Sequence, residues 1–110
     1  MKKRRTVTPT PRPAPPEVRR DDAGNPWTAD QVMQEIVAIV CDLDDNLAPK
    51  DVTRSDSFTD GFGWDEWFKM RLRKPVERRL HESLSAFLLM ERVKTVGDLV
   101  DYVWSSMEKA

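Results

Sequence analysis

The chain has a single cysteine, Cys41, and a single histidine, His81, among its 110 residues. One thiol excludes an internal disulfide. Cys41 falls within an apolar stretch of helical period, so it is expected to be a small buried hydrophobe in a reducing compartment. With one histidine, no Cys–His or Ser–His–Asp set can be specified, and an enzyme is not expected. Asp42-Leu43-Asp44-Asp45-Asn46 imitates the opening of a calcium loop. Leu47 stands where that loop needs glycine and Thr53 where it needs its closing glutamate, so the segment is taken as an acidic helix end. No apolar run approaches the ~18–20 residues of a membrane span. Met1-Lys2-Lys3-Arg4-Arg5 has the charge of a signal-peptide start, but Thr-Pro repeats follow in place of an apolar segment. A soluble, cytoplasmic protein without membrane spans is expected. No strand pattern and no internal repeat stand out.

Charge is abundant and unevenly placed. The formal net charge is −1. Residues 1–20 hold seven Lys/Arg against Glu17, whereas residues 21–60 hold ten Asp/Glu against Lys50 and Arg54. Residues 61–110 are nearly balanced, with nine basic and eight acidic side chains. Such polarity bears on association, not on fold. Residues 1–26 are basic and proline-rich, with Pro9, Pro11, Pro13, Pro15 and Pro16. They hold too little apolar surface to offset ordering entropy and are expected to be a disordered tail. Residues 27–110 form the expected domain.

Helical signals fill that domain. Thr28-Ala29-Asp30-Gln31 has capping-box form, and Val32, Ile36, Ile39, Val40, Leu43 and Leu47 follow at spacings of three and four. Residues 49–64 are rich in turn formers and predict a long loop anchored by Phe58 and Phe62. A second helix is expected to start at Trp64-Asp65-Glu66, with Trp67, Phe68, Leu72, Val76, Leu80 and Leu84 on its apolar face and Met70 nearby. Pro75 predicts a kink or break near Arg73-Lys74. Residues 84–93 predict a short helix or turn in which Phe87 and Met90 help to plug the bundle. Thr95-Val96-Gly97-Asp98 caps a last helix through Leu99, Val100, Val103, Trp104 and Met107.

The order of these elements and two motifs resemble the acyl carrier protein family over about residues 28–108. Phe58-Thr59-Asp60-Gly61-Phe62-Gly63-Trp64-Asp65-Glu66-Trp67 is similar to the family's Phe-x-Asp-Asp-Leu-Gly-x-Asp-Ser-Leu. Val93-Lys94-Thr95-Val96-Gly97-Asp98-Leu99-Val100-Asp101-Tyr102-Val103 is similar to its Ile-x-Thr-Val-x-Asp-Leu-Val-Asp-Tyr-Ile. The resemblance implies an all-α bundle of three main helices plus a short one, with a long first loop.

The family's serine, which carries 4′-phosphopantetheine, is replaced by Glu66. A carboxylate does not accept that phosphodiester, so no cofactor is expected. Ser57, Ser83 and Ser85 lack the family's context for attachment. The family's second helix is acidic; here it holds Lys69, Arg71, Arg73, Lys74, Arg78 and Arg79.

The expected function is therefore non-enzymatic. A carrier-shaped monomer without the attachment serine would dock on an acidic protein surface, in a fatty-acid, polyketide or peptide synthesis system. Trp64, Trp67, Lys69, Arg71, Arg73, Lys74 and Arg78 are the candidate contact residues. The alternatives are a carrier loaded at an unusual position and a small nucleic-acid-binding protein using its basic tail.

Overall fold

In the computed structural model, which describes residues 15–109, the capping boxes act as the sequence requires. The amide of Gln31 donates to Thr28 Oγ1 (3.2 Å) and the amide of Thr28 to Gln31 Oε1 (2.9 Å), starting α1 (Ala29–Leu43). Thr95 and Asp98 exchange the same two bonds at the start of α5 (Val96–Ser106). Satisfying these orphan amides fixes where each helix begins, and the apolar stripe then fixes which face turns inward. Val32, Ile36, Ile39 and Val40 of α1 meet Leu99, Val100 and Val103 of α5 in one core. Between α1 and α5 lie α2 (Glu66–Lys69), α3 (Arg73–Leu80) and α4 (Ala86–Glu91).

The break attributed to Pro75 comes about one turn early. A tight 3₁₀ turn at Met70–Leu72 separates α2 from α3, and Pro75 lies in the first turn of α3. A proline ring conflicts with the carbonyl four residues earlier, that of Arg71, which is inside the tightened turn. His81 ends α3 in the left-handed conformation, at φ 52°.

The domain is mostly helical but not purely α, which corrects the all-α expectation. Strands β1 (Val18–Arg20), β2 (Pro26–Thr28) and β3 (Glu108–Lys109) form an antiparallel sheet in the order β2-β1-β3. Arg19 pairs with Trp27 on one side and Lys109 on the other. β1 and the turn after it thus fall within residues 1–26, taken above as disordered tail. The remainder of that segment, residues 1–14, lies outside the described residues.

The missed signal is turn chemistry in Asp21-Asp22-Ala23-Gly24-Asn25. Gly24 supplies a positive φ, and Asp21 accepts from the amides of Ala23 and Asn25 at 2.9 Å each. It also accepts from the indole of Trp27 at 2.8 Å. Arg19 ties the sheet to α5, donating to the Trp104 carbonyl (2.8 Å) while its guanidinium lies 4.6 Å from that ring.

α4 buries Leu89 but leaves Phe87 and Met90 exposed, so neither plugs the bundle. Among the described residues, no helix is long and apolar enough to cross a membrane.

Candidate docking surface

The loop before α2 is held by its own aromatic side chains. Phe58 stacks on Trp64 with ring centroids 5.3 Å apart, and Trp64 meets Phe68 edge-on at 4.7 Å. The amides of Gly61 and Phe62 both donate to the Ser57 carbonyl at 2.9 Å. A Cβ on Gly61 would stand 2.5 Å from that oxygen, so the turn closes only on glycine. Gly63, at φ 74°, then reverses the chain into α2. Asp65 caps the helix by accepting from the Phe68 amide at 2.7 Å.

Trp64 is therefore a core residue, only 5% exposed, and not a partner anchor as its position suggested. Its indole donates to Asp44 Oδ2 (2.9 Å). That bond, followed by the Asn46 amide, holds the Asp44 carboxyl below its ordinary range. An amphipathic side chain near an aromatic cluster is pulled inward once its one polar atom finds a partner. Trp67, three residues on, has no such partner and is 85% exposed.

Lys69 is the second correction. Its side chain is 1% exposed, so it cannot face a partner. Nζ donates to the Val93 carbonyl at 2.7 Å and lies 3.5 Å from Glu66 Oε2. Burial of an ammonium is tolerated when such partners exist. Glu66 thus stands at the first turn of α2 as the counter-charge of a buried lysine, with Oε2 itself shielded and otherwise without a hydrogen bond.

The other cations of the run are all exposed and divide by whether they have a partner. Arg73 donates from Nε to the Leu84 carbonyl at 3.1 Å, and Arg79 pairs with Glu35 and Asp42 of α1. Arg71 lies over the Phe68 ring at 5.1 Å. Among the described residues, Arg71, Lys74 and Arg78 have no ion-pair partner.

These three residues, together with Arg73 and Arg79, border a groove of about 770 Å³ between α1 and the α2–α3 run. Ile39, Leu43, Met70 and Pro75 supply its apolar lining, and Trp67 stands at the α2 side. Asp42 and Glu77 also reach it. Asp42 is balanced by Arg79, which leaves Glu77 as the one lining carboxylate without an ion pair among the described residues.

The remaining polar candidates are locally engaged. Ser57 Oγ accepts from the Asp60 amide at 3.1 Å, and Ser85 Oγ from the Leu88 amide at 3.4 Å. Burial pushes the Cys41 thiol up, with Asp42, Asp51 and Asp44 adding to the effect. It is therefore a poor nucleophile. No group of three or more His, Cys, Asp or Glu side chains among the described residues is placed to hold a metal.

Glu82 was not singled out by its sequence context. It is 4% exposed, and its Oε1 has no hydrogen-bond partner. Burial raises its pKa to about 7, reinforced by Asp22, Asp21 and Glu108 from the terminal sheet and opposed by the Asp22 amide. Asp21 behaves in the opposite way. Burial alone would raise it, but the bonds from Trp27, Asn25 and Ala23 outweigh that and leave it lowered.

Comparison with protein-family models and with curated proteins finds no match for this chain.

Proposed function

We propose that this protein is a non-enzymatic docking module with the form of an acyl carrier and without its prosthetic group. Its partner is a protein with an acidic surface, in an acyl-transfer or synthase-type system. The observation that carries the docking reading is the groove beside Trp67. A largely exposed tryptophan beside an apolar floor costs solubility and offers nothing to the core, and three unpaired cations on one helix run border it. Buried aromatic and arginine anchors are what protein interfaces use.

The pairing of Glu66 with Lys69 supports the second half of the proposal. The residue in the family's attachment position already has a structural partner, and a serine there would leave the buried ammonium with only the Val93 carbonyl. Glu66 and Lys69 are thus a matched pair that suits a helix kept for packing and recognition.

Two measurements test the proposal. After incubation with coenzyme A and a promiscuous phosphopantetheinyl transferase, the intact mass should not change; a gain of one phosphopantetheine would sink the prosthetic-group claim. Affinity capture by the full chain should recover an acidic partner that is lost with Trp67→Ala. Capture indifferent to that change would sink the docking claim.

A further inference from the structure

We propose that the occupant of the groove is an acidic amphipathic helix of about three turns, laid along α2–α3. This rests on the docking reading and narrows it to one kind of partner. Trp67, Arg71, Lys74 and Arg78 recur at intervals of four, three and four residues. The run passes through the 3₁₀ turn at Met70–Leu72, and all four residues still line the one groove, along about 16–18 Å of helix. The apolar lining from Ile39, Leu43, Met70 and Pro75 runs beside these residues. A helix with leucine-like residues every three or four positions would seat them on that lining and against the Trp67 ring. Its flanking carboxylates would then fall opposite the three cations, in the repeat that helical ion pairs share.

Charge decides between an acidic helix and a nucleic acid, which also seeks cations. A duplex presents a phosphate about every 1.7 Å and continues past any local patch. The α1 side brings Asp42 and Glu35, both already paired with Arg79, and Asp44 and Asp45 follow at the end of α1. Asp42 lines the groove but is balanced there by Arg79, whereas Asp44 and Asp45 form no ion pair among the described residues and would repel a duplex that ran past the groove. The N-terminal segment of this chain is itself basic and repels the same cations.

The test uses the full chain labelled with ¹⁵N, in low salt. A synthetic helical peptide of about 14 residues, with leucines at helical spacing and glutamates elsewhere, is titrated in. A second peptide replaces every glutamate with lysine, and a short DNA duplex forms the third arm. The acidic peptide should shift the Trp67 indole and the amides of α2–α3, with a dissociation constant below about 100 μM. Combined Arg71→Glu, Lys74→Glu and Arg78→Glu should weaken it about tenfold or more, and Trp67→Ala should do so independently.

Shifts centred on Phe87 and Met90, equal binding of the lysine peptide, or displacement of the acidic peptide by DNA would each overturn the proposal. So would the absence of any shift up to about 1 mM peptide. If the peptide fails while capture still depends on Trp67, the helix inference falls alone. If capture is indifferent to Trp67, the docking reading falls with it.

Discussion

The two flanks of the α2–α3 run use the same residue types for opposite ends. On the inner flank, buried Lys69 bonds to a carbonyl of Val93, while Arg73 and Arg79, which are exposed and also line the groove, are held by a carbonyl of Leu84 and two carboxylates of α1. On the outer flank, Arg71, Lys74 and Arg78 stand beside an open groove. The tryptophans divide likewise, Trp64 in the core and Trp67 outside. A count of cations along a helix therefore overstates what a partner can reach. What separates the flanks is the supply of acceptors, because a buried cation needs a carbonyl or carboxylate already aimed at it.

Truncation is the most direct way to break this contrast. Trp64→Ala should cost about 3–5 kcal/mol in urea unfolding, since it empties the centre of the aromatic cluster and frees Asp44. Trp67→Ala should stay within about 0.5 kcal/mol. A similar cost in both variants would erase the distinction between the flanks. The lysines should follow: Lys69→Ala is expected to lose about 2–4 kcal/mol, because it leaves the Val93 carbonyl and Glu66 without their partner. Lys74→Ala should be nearly silent by the same measurement.

Glu82 extends the contrast to carboxylates. Its pKa is raised to about 7 in the folded state, above the ordinary carboxyl value it regains on unfolding. The folded protein thus holds the extra proton between those two values, and stability should fall as pH rises from about 4.5 to 7 and level off above. Glu82→Gln should remove that slope and stabilise the protein by on the order of 1–3 kcal/mol at pH 8. Asp21, whose pKa is lowered, acts in the other direction. Its contribution is present at neutral pH and is lost as pH falls below the ordinary carboxyl range. An unfolding curve for the Glu82→Gln protein that keeps the wild-type slope between pH 5 and pH 7 would exclude this account. The smallest effect belongs to His81, where glycine removes the penalty of a left-handed backbone. His81→Gly should raise stability by about 0.5–1 kcal/mol.

Much of the helical layout was legible because its signals are local. Thr28 with Gln31, and Thr95 with Asp98, set two helix starts within four residues of sequence each. The terminal sheet was harder to see because β3 is two residues long and pairs with β1 from the far end of the chain. Pairing at that separation leaves no periodicity to detect. The hairpin of β1 and β2 did leave a trace in Asp21 and Gly24, which a proline-rich neighbourhood masked.

At the groove, residue type located the right helix and the right sign of charge. Burial of Trp64 and Lys69 was not legible, because the groups that draw them inward, Asp44 and the Val93 carbonyl, lie 20 and 24 residues away. Glu82 escaped notice for the same reason, since its acidic neighbours come from the two ends of the described chain.

The sheet order has a mechanical consequence. β1 is central, and its antiparallel partner β3 brings Lys109 beside Arg19, so the start of β1 and the finish of β3 lie at the same end of that ladder. A force drawing the two ends apart would act at the open end of that ladder and part its residue pairs in succession. The β3 ladder should peel away at low load, before tension reaches α1 or α5.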